Sequence, residues 1–167
     1  MLFRSLGRQA RPDLYALYPT LAPPLVDRAD VLGHGGRLGA DGEVLADDAD
    51  FVARHHAALA RAGAIAVCLL HGYAHPDHEA HLAEALAQAF PDTFVSVGHR
   101  TAPVMREAER TSTVVVDAYV APVMARYLAR LRAACGDALP LRVMGSAGGL
   151  LPPEAVLRSE EHTSELQ

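Results

Sequence analysis

The sequence predicts an α/β protein: a mainly parallel sheet with flanking helices. Three observations carry that prediction. Ala64 to Leu70 form an uninterrupted apolar run of strand length, the pattern of a strand covered on both faces. Segments with helical spacing stand before and after it, so that helix, strand, helix, strand, helix, strand follow in turn. Each predicted strand also runs into a short turn containing glycine: Leu70-His71-Gly72-Tyr73, Gly98-His99-Arg100, and Gly145 to Gly149.

Taken in order, residues 11–30 hold Pro12, Pro19, Pro23 and Pro24 and are expected to run extended across a surface. Val31 to Leu45 reads as a hairpin turning at Asp41-Gly42, a pair suited to the positive φ of a tight turn; it could extend the edge of the sheet. Gly33-His34-Gly35-Gly36 offers either close backbone approach to a ligand or plain loop flexibility. Phe51 to Ala62 is helix-like, opening after Asp47, Asp48 and Asp50 and stopping at Gly63. After the apolar strand, Pro76 suits a helix start, with Asp77 and Glu79 at its positive end. That helix places Leu82, Leu86, Ala89 and Phe90 on one side and ends before Pro91. Thr93 to Val97 is the second strand. Residues 112–134 form a long helix with Val116, Val120, Val123, Tyr127 and Leu131 at helical spacing, kinked or divided at Pro122. Leu141 to Met144 is the third strand.

Composition narrows the function classes. The chain has 167 residues, half of them apolar, and a net charge of -5. Its basic residues are all Arg, scattered along the chain, and Lys and Asn are both absent. A weakly acidic chain of this kind makes no electrostatic case for nucleic acid or an anionic membrane. Cys68 and Cys135 are too few for a disulfide scaffold, which fits a cytoplasmic location. No secretory leader pattern opens the chain, and no apolar run approaches membrane-spanning length.

Arg158 to Gln167 reads RSEEHTSELQ, the in-frame translation of a widely used sequencing-library adapter. These residues are expected to be non-native and to take no part in the fold. Without them the net charge is -3, since one arginine and three glutamates go with them.

In open parallel sheets ligands collect beyond the carboxyl ends of the strands, which brings forward the three turns named above. His71, His75, His78 and His81 raise a metal reading, with His71 and His78 its candidates. However, His78-Glu79-Ala80-His81 is one residue short of the zinc-protease spacing, and a site needs three or four converging ligands. The expectation is therefore no metal, one histidine closing a strand and the others decorating a helix start. Arg106 to Thr113 supplies either a helix N-cap hydroxyl with exposed charges or an anion contact at a helix N-terminus. Residues 145–149 match neither a Walker loop nor a dinucleotide fingerprint.

Read together, these stretches resemble the hydantoinase A/5-oxoprolinase family, which includes ATP-dependent ketone carboxylase subunits. The matching strings are Gly7-Arg8-Gln9-Ala10-Arg11-Pro12-Asp13-Leu14-Tyr15, Leu70-His71-Gly72-Tyr73-Ala74-His75-Pro76-Asp77-His78-Glu79, Arg106-Glu107-Ala108-Glu109-Arg110-Thr111-Ser112-Thr113 running on to Val120, and Gly145 to Leu150. The chain departs from the family pattern at Gly72 and His75, where LHSY-x-NP-x-HE is usual, at Ala108 and Asp117, and at Ser146-Ala147 in place of the polar pair of QSNGG.

The resemblance implies a partial actin-like (ribonuclease H-like) ATPase lobe. On this reading residues 1–157 are an internal fragment, an N-terminal region running into the start of the core domain. It implies ATP and Mg²⁺ in the parent protein, used to activate an amide or carbonyl oxygen, with 5-oxoproline or hydantoin ring opening as the outcome. It also implies a small cyclic-amide substrate and a second hydantoinase-type subunit or domain. An amide is a poor electrophile, and phosphorylating its oxygen makes attack by water feasible; the transfer depends on positioning and charge neutralisation. The matching positions His71, Glu107, Arg110 and Thr111 are the catalytic candidates, and Gly148 and Gly149 the cofactor-binding candidates. The family's phosphate loops fall before residue 1 and beyond residue 157, so the fragment alone is expected to be inactive. The alternatives are a ketone carboxylase subunit fragment and a non-catalytic binding or assembly module.

Overall fold

The computed structural model describes Tyr15, Leu17, Tyr18 and residues 23–136, 141–144 and 149–153. Gly7 to Leu14, residues 145–148 including Gly148, and residues 158–167 lie outside the described residues. The architecture is mixed α/β, and its centre is a parallel pair of strands, β3 (Ala64–Val67) and β4 (Phe94–Val97), in the register Ala64 to Phe94 through Val67 to Val97.

Helix α3 (Asp77–Ala89) and helix α5 (Glu107–Cys135) take opposite faces of this pair. Side chains alternate across a strand. Ile65, Val67 and Val97 therefore meet Leu86 and Phe90 of the α3 side in one core cluster, while Ser96 turns the other way and donates its hydroxyl to Asp117 of α5 at 2.5 Å. Phe51 and Leu59 complete the cluster from α1 (Phe51–Arg54) and α2 (His56–Leu59). Leu86 is only 1% exposed, and burying such a side chain stabilises the fold by about 1.5–3 kcal/mol.

The predicted hairpin forms, with β1 (Arg37–Leu38) antiparallel to β2 (Val44–Ala46) and Gly42 at φ 88° in the turn. It is a separate two-stranded sheet and does not extend the parallel pair. The predicted third strand is likewise corrected. β5 (Val143–Met144) pairs antiparallel with β6 (Leu150–Leu151), and neither joins β3 and β4.

Three further expectations change for local physical reasons. The single helix over 51–62 is two four-residue helices with His55 between them at φ -104°, ψ 9°, its ring packed on Phe51 at 4.8 Å. The apolar run stops being a strand at Val67 because the next backbone groups are taken by side chains. Leu69 gives its N–H to Glu79 and its carbonyl to Arg110, so no strand partner can use them. Ala66, on the α5 side of β3, stays exposed, so α5 covers that face of the strand incompletely.

Helix α5 begins at Glu107, five residues earlier than predicted, and runs undivided through Pro122. Thr111, Ser112 and Thr113 therefore lie inside the helix and do not cap it. Ser112 and Thr113 donate back to the carbonyls of Ala108 and Glu109, a bond that mid-helix hydroxyls commonly make. The expected inward stripe of α5 is the outward one: Val116, Val120, Val123 and Tyr127 are exposed, while Arg110, Val114, Ala118, Ala121 and Leu128 are buried. A helix that is apolar on two sides does not reveal by spacing which side packs. Here the alanines let it lie close against the strands. On α3, Leu86 and Phe90 are buried as expected and Leu82 is half-buried, but Ala89 is exposed.

Candidate functional site

Both α3 and α5 begin near the carboxyl ends of the two parallel strands, and each sends one charged side chain inward from its first turns. Glu79 lies three and seven residues before Leu82 and Leu86, on the packed side of α3. Arg110 lies four and eight residues before Val114 and Ala118, on the packed side of α5. The two meet as an ion pair between Glu79 Oε1 and Arg110 Nη2, with both side chains fully buried.

An ion pair removed from water needs further hydrogen bonds to offset its desolvation, and the strand ends supply them. Glu79 Oε1 also accepts the Leu69 N–H at 2.7 Å, and Oε2 accepts the His99 N–H at 2.6 Å and His99 Nδ1 at 3.2 Å. Arg110 donates Nε to the Ala102 carbonyl at 3.1 Å and Nη1 to the Leu69 carbonyl at 2.8 Å, with Cys68 Sγ at 3.5 Å. One carboxylate and one guanidinium thus pin the segment after β3 and the segment after β4 together.

Two glycines make this possible. A Cβ on Gly72 would collide with the Glu79 carboxylate and the Arg110 guanidinium, and one on Gly98 would lie 2.5 Å from Arg110 Nη2. Each glycine adjoins a histidine. His71 precedes Gly72 and is held at φ 61°, the one positive φ outside glycine among the described residues. This backbone conformation is uncommon for a residue with a Cβ, and it persists where surrounding structure enforces it. Its carbonyl accepts from the N–H groups of Ala74 and His75, which closes the turn. His99 follows Gly98 and is oriented by Glu79.

Cys68 closes the other side of the cluster. Thr111 donates its hydroxyl to Cys68 Sγ at 3.1 Å. Burial pushes the thiol above its ordinary pKa, and the Thr111 bond and the Arg110 charge only partly oppose that rise. The sulfur therefore acts as a neutral packing and accepting group, not as a nucleophile.

The predicted site residues separate on this geometry. Arg110 is central, Thr111 is one contact away through Cys68, and His71 stands at the adjoining turn. Glu107 opens α5, half-buried. Gly149 is described, at φ 158°, with nothing within 4 Å of where a Cβ would stand. His78 is elsewhere, edge-on to His34 at 5.2 Å. His75 bonds the Ala40 carbonyl of the hairpin at 3.1 Å. Among the described residues no three His, Cys, Asp or Glu side chains converge as metal ligands. Sequence reasoning missed the role of Glu79, which was assigned to the helix dipole. The available signal was a carboxylate on the apolar stripe of its own helix.

A cleft of about 1460 Å³ runs along β3 and α5 and reaches Cys68, Leu69 and Thr111 at the edge of the cluster. His34, His78, Thr111, Val116 and Tyr119 are among its lining residues. Its walls are largely apolar, and His34, His78 and Tyr119 bring polar groups to it.

The hydantoinase/oxoprolinase N-terminal region model matches residues 3–90, and the hydantoinase/oxoprolinase model matches residues 110–165. The chain belongs to the hydantoinase/oxoprolinase family. The buried ion pair joins the two matched regions, with Glu79 in the first and Arg110 at the start of the second. The chain is 38% identical over 128 residues to caprolactamase subunit alpha of Pseudomonas jessenii, covering 71% of this chain and 18% of that protein. It is 31% identical over 172 residues to 5-oxoprolinase 1 of Arabidopsis thaliana, covering 88% and 13%. The crystal structure of the ATP-dependent caprolactamase from P. jessenii superposes with a TM-score of 0.64 at 36% identity, covering 71% of this chain and 18% of that one. This hydantoinase/oxoprolinase chain therefore spans less than a fifth of the length of these relatives. None of its described helices is long and apolar enough to cross a membrane.

Proposed function

We propose that this chain is part of an ATP-dependent cyclic-amide hydrolase of the 5-oxoprolinase or hydantoinase type, to which it contributes a substrate-side wall. The observation that carries the reading is the Glu79–Arg110 pair clasping two strand-end turns, each of which presents a histidine. Family membership and the relatives named for caprolactam and 5-oxoproline support the reaction class.

The clasp rigidifies. Catalytic contacts must be held within a fraction of an ångström, and turns are the mobile parts of a fold unless tied down. Here the turn after β3 and the turn after β4 are tied to the same two buried side chains. His71 and His99 are thereby fixed at the carboxyl edge of the sheet, where parallel α/β folds take their ligands.

Gly72 and Gly98 do not fit a triphosphate. Close backbone approach to phosphate needs glycines facing open space, whereas Gly72 and Gly98 face the ion pair. We therefore assign no nucleotide contact to them. In the proposed parent the phosphate loops, the bound Mg²⁺, the rest of an actin-like lobe and a second hydantoinase-type subunit lie outside residues 1–157.

The test exchanges segments. Residues 1–157 are placed in the caprolactamase alpha subunit in place of the matching segment, and Mg²⁺-dependent phosphate release is measured with caprolactam, 5-oxoproline and hydantoin. The expected result is cyclic-amide-dependent ATP hydrolysis by the chimera and none by the 167-residue chain alone. A folded, ATP-binding chimera that opens no cyclic amide sinks the reading, as does turnover by the chain alone.

A further inference from the structure

Glu79 fixes which nitrogen of His99 carries hydrogen. Its two oxygens accept four N–H groups: Leu69 N–H and Arg110 Nη2 at Oε1, and the N–H and Nδ1 of His99 at Oε2. A carboxylate so occupied only accepts, so His99 Nδ1 must be a donor. In the neutral ring this leaves the lone pair on Nε2. The His99 side chain keeps 13% exposure. Nε2 makes no hydrogen bond to the described residues, and it is not buried, because His78 Nδ1 is the only buried side-chain nitrogen or oxygen among them that lacks a partner. An acceptor of fixed direction therefore keeps some access to solvent where β4 ends.

We propose that His99 is a specificity-determining residue: its Nε2 accepts the ring N–H of a cyclic amide, and Glu79 is the positioning residue behind it. This inference rests on the cyclic-amide reading above and deepens it. The ring N–H is the one donor common to lactams and hydantoins. An acceptor whose ring is bonded through Nδ1 to a buried carboxylate, and whose main-chain N–H is bonded to the same carboxylate, selects for that donor by geometry. The backbone supports the assignment. Gly98 admits Arg110 directly beneath the turn, and the His99 main-chain N–H is bonded to the same Oε2 as its ring, so ring and backbone are fixed together.

The test uses the 167-residue chain with imidazole nitrogens observed by ¹⁵N NMR. The histidine signals are assigned through single His→Gln variants, and ε-caprolactam and N-methylcaprolactam are the probes. At a pH where the ring is neutral, the first result expected is a hydrogen on Nδ1 and none on Nε2 of His99 without ligand. Caprolactam is expected to shift Nε2 of His99 and to bind about tenfold more tightly than its N-methyl analogue, the value of one neutral hydrogen bond. His99→Gln keeps an acceptor and retains part of the preference, whereas His99→Ala loses it. If His99→Ala does not fold, His99→Gln and the ligand pair still decide the matter.

Equal binding of both lactams with no shift at His99 overturns the assignment while leaving the cyclic-amide reading in place. A shift at His34 or His78 in the cleft, in place of His99, does the same. Binding of neither lactam overturns the assignment, and the chimera then decides the cyclic-amide reading.

Discussion

The Arg110 guanidinium lies so close beneath Gly98 that a Cβ there would approach Nη2 to 2.5 Å and Cζ to 2.8 Å. Because Arg110 is fully buried and bonded to Glu79, Leu69 and Ala102, it has no room to swing aside. Gly98→Ala is expected to lower stability by about 3 kcal/mol, at the upper end of overpacking costs. Gly72→Ser, which restores the usual family residue, is expected to destabilise for the same reason. Urea midpoints at unchanged m-value measure both. A neutral Gly98→Ala would show that the clasp is looser than described.

Removing one partner of the ion pair leaves the other charge buried alone. Arg110→Met is expected to cost about 3–5 kcal/mol. In a double-mutant cycle with Glu79→Gln, the pair should show a coupling of about 2 kcal/mol or more. Additive losses within error would mean that the two side chains act independently.

Cys68 is expected to be a slow thiol. Burial holds it in the protonated form, so alkylation by iodoacetamide at pH 8 should run slower than that of glutathione. Thr111→Val removes the hydroxyl that favours the thiolate and should slow the reaction further. Faster alkylation in that variant would contradict the hydrogen bond's direction.

Acid should loosen the hairpin side of the fold in two stages. Burial, with neighbouring His78 second, holds the His34 imidazole below its ordinary value. The unfolded chain then binds the proton more readily, so this stability is present above about pH 6.5 and is lost as pH falls toward the folded value. Burial would raise the Asp48 carboxyl, but the Gly35 N–H and the Arg54 guanidinium outweigh it and hold the group below the carboxylate range. Its contribution is present above about pH 3.9 and is lost as pH falls through the depressed value. Thermal midpoints followed from pH 8 to pH 3 should show both limbs. His34→Phe should flatten the upper limb and Asp48→Asn the lower, and unchanged profiles would refute the assignments.

Much of the fold was legible in local pattern. Pro76 before α3, Pro91 after it, and Asp41-Gly42 in the hairpin each mark a boundary by backbone chemistry that no tertiary contact overrides. The end of β3 was not legible, because what stops it is two side chains from distant helices bonding Leu69. The inward face of α5 was hidden by a helix with apolar residues on two sides. At the site, His71 and Arg110 were visible as residue types at turns and helix starts. The role of Glu79 emerged only when α3 and α5 were brought to the same strand ends, since a carboxylate near a helix N-terminus has an ordinary electrostatic explanation. Gly72, read first as a departure from the family pattern, is the gap that admits the guanidinium.

The backbone of Leu69 is held from both sides, its N–H by Glu79 and its carbonyl by Arg110, and the same carboxylate holds the backbone of His99. The loops that follow the two strands thus share one anchor. A mutation that frees one is therefore expected to slacken both, since the edge is built as a single jaw and not as two independent fingers.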